Sequence, residues 1–150
     1  MIDCVFCERS ALQSADVYFE NEWCVYASSR DPRDPPDVLP GSGIVVPKAH
    51  KSSPFDFSAD EWSAIHELLL KAKAVQDARL KPDGYFLSWT SFPSSADDVP
   101  NMHAHLHVVP RFADEPRRDG GGRVGIKGQD NRRPDPSAPG NGWALLFGRR

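Results

Sequence analysis

Three of the five histidines in this chain occupy alternate positions, His103, His105 and His107. Because side chains alternate between the two faces of a β-strand, this spacing predicts a strand with all three imidazoles on one face and apolar residues on the other. Neighbouring rings would then lie about 7 Å apart along the strand. A neutral imidazole has one donor and one acceptor nitrogen and titrates at about pH 6.5. The central ring, His105, can therefore act as a nucleophile or base while its neighbours orient it or bind a metal.

Two of the three cysteines, Cys4 and Cys7, form a Cys-x-x-Cys pair. A redox pair of this type usually opens a helix after a strand, and too few residues precede Cys4 to form that strand. We therefore interpret the pair as half of a zinc site, with two free thiols as the alternative. Zinc takes four ligands, so the other two must come from distant residues. Histidines are the candidates, and spacing alone does not choose among His50, His66 and the triplet. Cys24 lies in an apolar run, which predicts a buried strand residue.

Length, net charge and cysteine count argue against several classes of protein. The 150 residues suit one domain with a hydrophobic core, and a net charge of −3 gives no overall signal for nucleic-acid binding. No apolar run approaches the roughly 20 residues of a membrane span. An odd number of cysteines argues against a secreted disulfide framework. The sequence therefore predicts a soluble, cytoplasmic protein with neither a membrane nor a specific nucleic-acid partner.

The order of the elements predicts an α+β fold. Short apolar runs bounded by turn residues predict strands at 17–19, 23–26, 44–46 and 84–89, with the histidine segment as the fifth. Between the third and fourth strands, Ser58 and Glu61 match a capping box, and the helix that follows is expected to end near Lys81-Pro82. The apolar face of that helix is predicted to contain Trp62, Ile65, Leu69, Ala72 and Gln76, widened by Leu68 and Val75.

The last forty residues differ in character. Residues 111–141 are rich in Gly, Pro, Arg and Asp and show almost no apolar periodicity. This composition predicts a long functional loop or a partly disordered segment. Residues 143–147 are strongly apolar and too few to form a domain, so we expect them to dock on this subunit or on a partner.

Taken together, these motifs resemble the histidine triad family of nucleotide hydrolases and transferases. The resemblance is carried by the cysteine pair of residues 4–7, by Pro-Lys-Ala-His at 47–50, by the long helix, and by His-Ala-His-Leu-His-Val-Val-Pro-Arg at 103–111. It covers residues 1–112, the predicted histidine triad domain, and residues 113–150 are a Gly/Pro/Arg-rich extension of that same domain. The family fold implies a five-stranded antiparallel sheet with one long helix, an N-terminal zinc knuckle and assembly as a homodimer.

The resemblance also implies roles for the histidines and the cysteines. His105, the middle histidine, would attack the α-phosphorus of a nucleotide and form a covalent nucleotidyl-histidine that water then hydrolyses. His107 would contact a phosphate oxygen or the leaving group, and His103 completes the catalytic triad. In zinc-bearing members the corresponding metal ligands are Cys4, Cys7, His50 and His103, and such a closed site is structural.

Several positions depart from the family pattern or remain open. Ser42 stands where the family usually has a histidine after glycine, and Ser42 cannot carry imidazolium charge. The loop before the triad lacks the usual glutamine, but Ser94 and Ser95 could still donate hydrogen bonds there, and Ser95 is taken as the candidate. The resemblance implies that an acidic residue binds the ribose, and the sequence does not decide between Asp31 and Asp34. Arg111 is a candidate bidentate phosphate donor.

The leading function is hydrolysis of dinucleoside polyphosphates or nucleoside phosphoramidates through His105, with a small-molecule nucleotide as substrate. Two alternatives belong to other classes. The histidine row could hold a catalytic zinc that activates water, or the chain could be a nucleotide-binding module with little catalysis.

Overall fold

A computed structural model describes Cys4 and residues 6–8, 17–28, 41–89 and 102–114. The described elements are strands β1 (Val17–Glu20), β2 (Cys24–Ser28) and β3 (Gly43–Pro47), a short 3-10 helix (Pro54–Asp56), helix α1 (Ala59–Leu80), and strands β4 (Gly84–Trp89) and β5 (Leu106–Arg111). The predicted α+β order of five strands and one long helix is confirmed. Among the described residues, no helix has the length and apolarity needed to cross a membrane.

The strands form one antiparallel sheet in the order β1-β2-β3-β5-β4. Strand β5 therefore lies inside the sheet, although it is the last of the five in the chain. His107 on β5 is flanked by Ile44 on β3 and by Ser88 on β4. Because directly opposed residues share a sheet face, these three side chains lie on the same side. The internal position of β5 buries its apolar residues and fixes its register from two sides.

The two faces of the sheet have different partners. On one face, Leu106 and Val108 of β5 join a core that includes Ile65 and Leu68 of α1. On the other face, a smaller buried cluster contains Val25, Ala27, Ile44 and Val46. Alternation along β5 puts His107 on this second face, away from the helix.

Helix α1 begins and ends where the sequence predicts. The Ser58 hydroxyl accepts a hydrogen bond from the Glu61 main-chain N–H at 3.2 Å, and the Ser58 N–H donates to the Glu61 carboxylate at 2.7 Å. This reciprocal pair satisfies two helix-end donors. The Ser58 N–H is also the main reason that the pKa of Glu61 lies below its ordinary value. Lys81 ends the helix in the left-handed conformation, and Pro82 follows it.

The predicted apolar face of α1 was wrong at Trp62, which is 43% exposed. The buried positions in the first two turns are Glu61, Ala64 and Ile65. Trp62 lies at the edge of this face, where its ring contacts the rings of Phe57 and Trp89 edge-on. The rest of the face is as predicted, with Leu69 and Val75 packed partly buried against the core.

Gln76 is a buried polar residue on the inner face of α1, only 1% exposed. Its side-chain amide donates to the Tyr26 hydroxyl at 3.1 Å and to the Gly41 carbonyl at 2.8 Å. Gly41 has a φ of 80°, a conformation that glycine adopts without strain. Gln76 therefore anchors the turn that leads into β3 and carries Ser42.

We predict that Gln76→Leu lowers the free energy of unfolding by about 1–3 kcal/mol, because leucine cannot donate to the buried Gly41 carbonyl. Equilibrium urea denaturation measures this loss. Arg79→Leu, at an exposed position of the same helix, is the matched control and should stay within about 0.5 kcal/mol of the wild type. A Gln76→Leu variant as stable as the control would contradict the anchoring role.

Candidate functional site

Four side chains converge where the cysteine pair meets the start of the histidine segment. The donor atoms of Cys4, Cys7, His50 and His103 all lie within 4.8 Å of one another. The Nδ1 atom of His103 is 3.4 Å from Cys4 Sγ and 3.5 Å from Cys7 Sγ. The Nδ1 atom of His50 is 3.2 Å from Cys7 Sγ. Residues separated by almost a hundred positions in sequence thus form one compact group of two sulfurs and two nitrogens.

Main-chain hydrogen bonds position the two histidines of this group. The His103 Nε2–H donates to the carbonyl of Pro47, the last residue of β3, at 2.8 Å. Next to it, the Ala104 N–H donates to the Lys51 carbonyl at 2.7 Å. The end of β3 and the residues just after His50 therefore hold the histidine segment before it enters β5. The Lys51 ammonium lies 3.3 Å from the buried Glu61 carboxylate, which links this segment to the start of α1.

The bond to Pro47 decides which nitrogen of His103 carries the proton. A carbonyl oxygen only accepts, so a neutral His103 holds its proton on Nε2 and turns the lone pair of Nδ1 toward the two sulfurs. Burial is the main cause that lowers the pKa of His103 and favours this neutral form. Metal-bound histidines commonly donate their second ring nitrogen to a carbonyl in this way.

The chemistry of the four donors fits zinc. Zinc prefers thiolate and imidazole ligands in a tetrahedron with bonds of about 2.0–2.3 Å, which puts neighbouring ligand atoms roughly 3.3–3.8 Å apart. The nitrogen–sulfur distances of 3.2–3.5 Å are close to that range. Desolvation, followed by the hydrogen bond and charge of Cys4, raises the pKa of Cys7 to about 11. A pair of adjacent thiolates therefore needs a nearby cation, and a divalent ion would supply it.

His105 is half-buried and is not part of the metal group. Its Nδ1–H donates to the main-chain carbonyl of His103 at 2.9 Å. In a neutral ring the other nitrogen, Nε2, then carries the lone pair. The His105 ring also lies against the rings of His107, at a centroid distance of 4.8 Å, and Phe6, at 5.0 Å. The hydrogen bond therefore defines the tautomer of His105, and the His105 ring contacts the rings of His107 and Phe6.

The geometry of the histidine row differs from the predicted one in two respects. Strand β5 begins at Leu106, so only His107 of the three histidines lies in the strand. The rings of His105 and His107 are 4.8 Å apart, closer than the predicted separation of about 7 Å. The physical reason is that the predicted value is a spacing along the backbone, whereas the distance between two rings also depends on the orientation of each side chain.

The other candidate residues do not all lie close to His105. Ser42 is buried one residue before β3, while Arg111 is buried at the far end of β5. Arg111 is four residues beyond His107, about 13 Å along the strand, so the structure does not bring it beside His105. His66 is exposed on α1 and is not among the four clustered donors.

Some predictions fall outside the described residues. They are the ribose candidates Asp31 and Asp34, the loop residue Ser95, and nearly all of the extension at 113–150. These assignments, and the domain boundary at residue 112, stay predictions.

One residue of the site was missed by the sequence reasoning. Phe6, between the two cysteines, has its ring 5.5 Å from that of His103 and 5.0 Å from that of His105. An aromatic residue inside a short Cys-x-x-Cys turn was the available signal, because such a ring must pack wherever the turn closes.

Comparisons with known proteins agree with the fold and with the motifs. No family model matches the chain. The protein named Hit from Bacillus subtilis is 26% identical over 137 residues, covering 89% of this chain and 86% of its own length. A HIT-like protein from Saccharolobus solfataricus is 26% identical over 116 residues, covering 75% of this chain and 77% of its own length.

Solved structures extend the comparison. A zinc-bound histidine triad family protein from Mycobacterium smegmatis has a TM-score of 0.60 at 22% identity, over 97% of this chain and 91% of that one. An ADP-glucose phosphorylase from Arabidopsis thaliana with bound ADP-glucose has a TM-score of 0.59 at 19% identity, over 73% of this chain and 34% of that one. This chain is therefore similar in sequence to proteins named Hit and HIT-like, and similar in fold to a histidine triad family structure.

Proposed function

We propose that the chain is a nucleotide-phosphate hydrolase that works through a covalent nucleotidyl-histidine at His105. The observation that carries the proposal is the hydrogen bond from His105 Nδ1–H to the His103 carbonyl at 2.9 Å. This bond leaves the Nε2 lone pair as the nucleophile in the neutral ring. The bond to an uncharged carbonyl also stabilises the positive charge that develops on the ring during attack.

The reaction proceeds in two displacements at phosphorus. His105 Nε2 forms a bond to the α-phosphorus, and the bond from that phosphorus to the leaving oxygen or nitrogen breaks with its electron pair. The leaving group takes a proton, which His107 is near enough to His105 to deliver. Water then attacks the same phosphorus and returns a proton to His107, the phosphorus–nitrogen bond breaks, and the neutral His105 imidazole is restored. Dividing one difficult displacement into two easier ones is the advantage of a covalent nucleophile.

The two proposed substrate classes differ in their leaving group. Dinucleoside polyphosphates release an oxygen leaving group and nucleoside phosphoramidates release an amine. Ser42, buried beside the entry to β3, offers a hydroxyl donor and no charge. The fold relationship to an ADP-glucose phosphorylase with bound ADP-glucose supports a nucleotide substrate. Ribose contacts by Asp31 or Asp34 and a donor at Ser95 remain parts of this proposal, whereas Arg111, buried at the far end of β5, would not reach a phosphate held at His105.

We predict that His105→Ala abolishes a transient nucleotidyl adduct and lowers turnover by at least about 1,000-fold, because removing a covalent nucleophile removes the whole pathway. Intact-protein mass after rapid acid quench measures the adduct, first with an adenosine phosphoramidate and then with a diadenosine polyphosphate. His66→Ala, at an exposed helix position, is the matched control and should form the adduct at the wild-type rate.

The other outcomes identify the alternative functions. Turnover that survives in His105→Ala without any adduct would replace the covalent mechanism with a metal-activated water. Tight nucleotide binding without turnover in the wild type would identify a binding module with little catalysis.

We further propose that Cys4, Cys7, His50 and His103 hold a structural zinc ion. Four protein donors close the coordination shell, so zinc would fix the cysteine turn against the histidine segment and would not bind water for catalysis. The cytoplasm, where thiols stay reduced, is the location that this proposal requires.

The zinc proposal predicts about one zinc ion per purified chain, and its loss in Cys7→Ser together with a lower unfolding midpoint, because a site that binds only the folded chain stabilises it. Elemental analysis and thermal unfolding measure both quantities. Cys24→Ser is the matched control, since Cys24 lies in the core outside the cluster, and it should retain zinc. Immediate loss of activity on chelation, with the fold intact, would instead favour a catalytic metal.

A homodimer is the assembly that we propose. Strand β4 is an edge of the sheet, and its adjacent residues Phe86 and Leu87 are 45% and 48% exposed. An exposed apolar edge strand is a template for pairing with another strand, and a second copy of β4 would continue the sheet.

We predict that Leu87→Lys converts the dimer to a monomer, because dimerisation would bury the lysine ammonium at the edge where two copies of β4 pair. Light scattering coupled to size-exclusion chromatography measures the mass. Phe55→Lys, at a residue that is 93% exposed outside the sheet, should leave the dimer intact. A monomeric wild type would rule out this assembly.

A further inference from the structure

The peptide group between His103 and Ala104 (the relay peptide) is hydrogen-bonded at both ends. Its carbonyl accepts from the His105 Nδ1–H at 2.9 Å, and its N–H donates to the Lys51 carbonyl at 2.7 Å. Both groups belong to one planar amide, so a rotation that weakens one bond also moves the other. Ala104 is buried, where an unpaired N–H would be costly. The Lys51 carbonyl therefore sets the orientation of the group that accepts from His105.

The relay peptide transmits polarisation as well as position. A hydrogen bond made by its N–H increases the negative charge on its carbonyl oxygen, because hydrogen bonds in a chain strengthen one another. The His105 Nδ1–H therefore meets a stronger acceptor than an isolated carbonyl would provide. Both effects depend on where the main chain of Lys51 lies.

A buried acid of α1 holds Lys51 in place. The Lys51 ammonium lies 3.3 Å from the Glu61 carboxylate and donates to the Asp56 carbonyl at 2.9 Å. The Glu61 carboxylate is fixed in turn by the hydrogen bond from the Ser58 N–H. Because a buried carboxylate is costly without a partner, Glu61 restrains the Lys51 side chain more firmly than a surface acid would.

We propose that Glu61 is a positioning residue for His105, which it reaches through Lys51 and the relay peptide. This inference rests on the proposed function, because it concerns the same nucleophile. The Glu61 side chain is buried at the start of α1, so it cannot touch a substrate. Its charge therefore acts on the direction of the His105 Nε2 lone pair and on the strength of the bond at Nδ1, and not on nucleotide binding.

We predict that Glu61→Gln slows formation of the nucleotidyl adduct by about 3- to 10-fold, because a displacement well below 1 Å at a reacting atom costs less than the roughly 100-fold of a 1 Å displacement. Glutamine keeps the size of the side chain and an oxygen for the capping box, but it loses the charge that holds Lys51. The affinity for AMP should change little. Quenched-flow mass spectrometry measures adduct formation, and calorimetry measures AMP binding.

The matched control breaks a different ion pair of the same helix. Glu67→Gln removes the partner of Lys71, and both side chains of that pair are more than half exposed, so the adduct should form at the wild-type rate. An equal slowing in Glu67→Gln would show a general effect of helix charge and would overturn the proposal.

Variants of Lys51 test the route. Lys51→Met removes the ammonium and should slow the adduct as Glu61→Gln does. The double variant should be no slower than either single variant, because both changes break one contact. Lys51→Arg keeps a cation for Glu61 and should react at nearly the wild-type rate. Losses that multiply in the double variant would mean that the two residues act separately and would overturn the proposal.

A readout without nucleotide separates failure of this inference from failure of the proposed function. The proton NMR signal of the His105 Nδ1–H reports the strength of its hydrogen bond and is assigned by its absence in His105→Ala. At about pH 8, above the ordinary pKa of an imidazole, the signal should move upfield in Glu61→Gln and not in Glu67→Gln. If the wild type forms no nucleotide adduct but the signal still moves, the proposed function is wrong and the positioning role remains. Slower adduct formation with an unmoved signal would overturn positioning.

Zinc content and circular dichroism are recorded for every variant, because Lys51 follows the metal-site residue His50. If Glu61→Gln fails to fold or to hold zinc, Lys51→Met gives the same test at a partly exposed side chain. A folded, zinc-loaded variant of either kind that forms the adduct at the wild-type rate would overturn the proposal.

Discussion

The hydrogen bond from His103 Nε2–H to the carbonyl of Pro47 is the contact on which the site depends. It joins the end of β3 to the residues that lead into β5, and it fixes the tautomer of a buried imidazole. With the proton held on Nε2, Nδ1 turns its lone pair toward the two sulfurs. The same placement sets the position of the His103 main-chain carbonyl, which accepts the hydrogen bond from His105. One residue thus links the sheet, the metal group and the candidate nucleophile.

The side chain and the main chain of His103 have separate roles. The imidazole of His103 belongs to the metal group, whereas its carbonyl belongs to the hydrogen-bond system of His105. Helix α1 contributes from a distance, because Glu61 in its first turn pairs with Lys51, whose carbonyl receives the Ala104 N–H. Near the other end of the helix, Gln76 holds the Gly41 turn before Ser42. The helix therefore supports both the residues before β5 and the turn before β3, which border the sheet face that carries His107, although the helix packs on the opposite face.

Much of this could be predicted from residue types and spacing. The capping box at Ser58 and Glu61 has a strict three-residue offset, so it predicted the start of α1 from local chemistry alone. The four zinc-type donors were named through the family resemblance, since spacing alone did not choose His50 over His66. What could not be predicted depends on contacts distant in sequence. Trp62 lies at the edge of the helix face because aromatic partners at Phe57 and Trp89 receive it there. The short distance between the rings of His105 and His107 depends on side-chain orientations that the spacing along the backbone does not give.

The acceptor for His105 is a peptide carbonyl, and every residue type has one. Replacing the side chain at position 103 removes one of the four clustered donors but leaves that oxygen in the chain. The tautomer of His105 therefore depends on residue 103 only through the path of the main chain, whereas the donor cluster requires particular side chains. A descendant of this sequence could lose both cysteines and the imidazole at 103 and, if the segment kept its path, still present the same lone pair at position 105. As long as the main chain keeps this path, the donor cluster can change over evolution without changing the tautomer of His105.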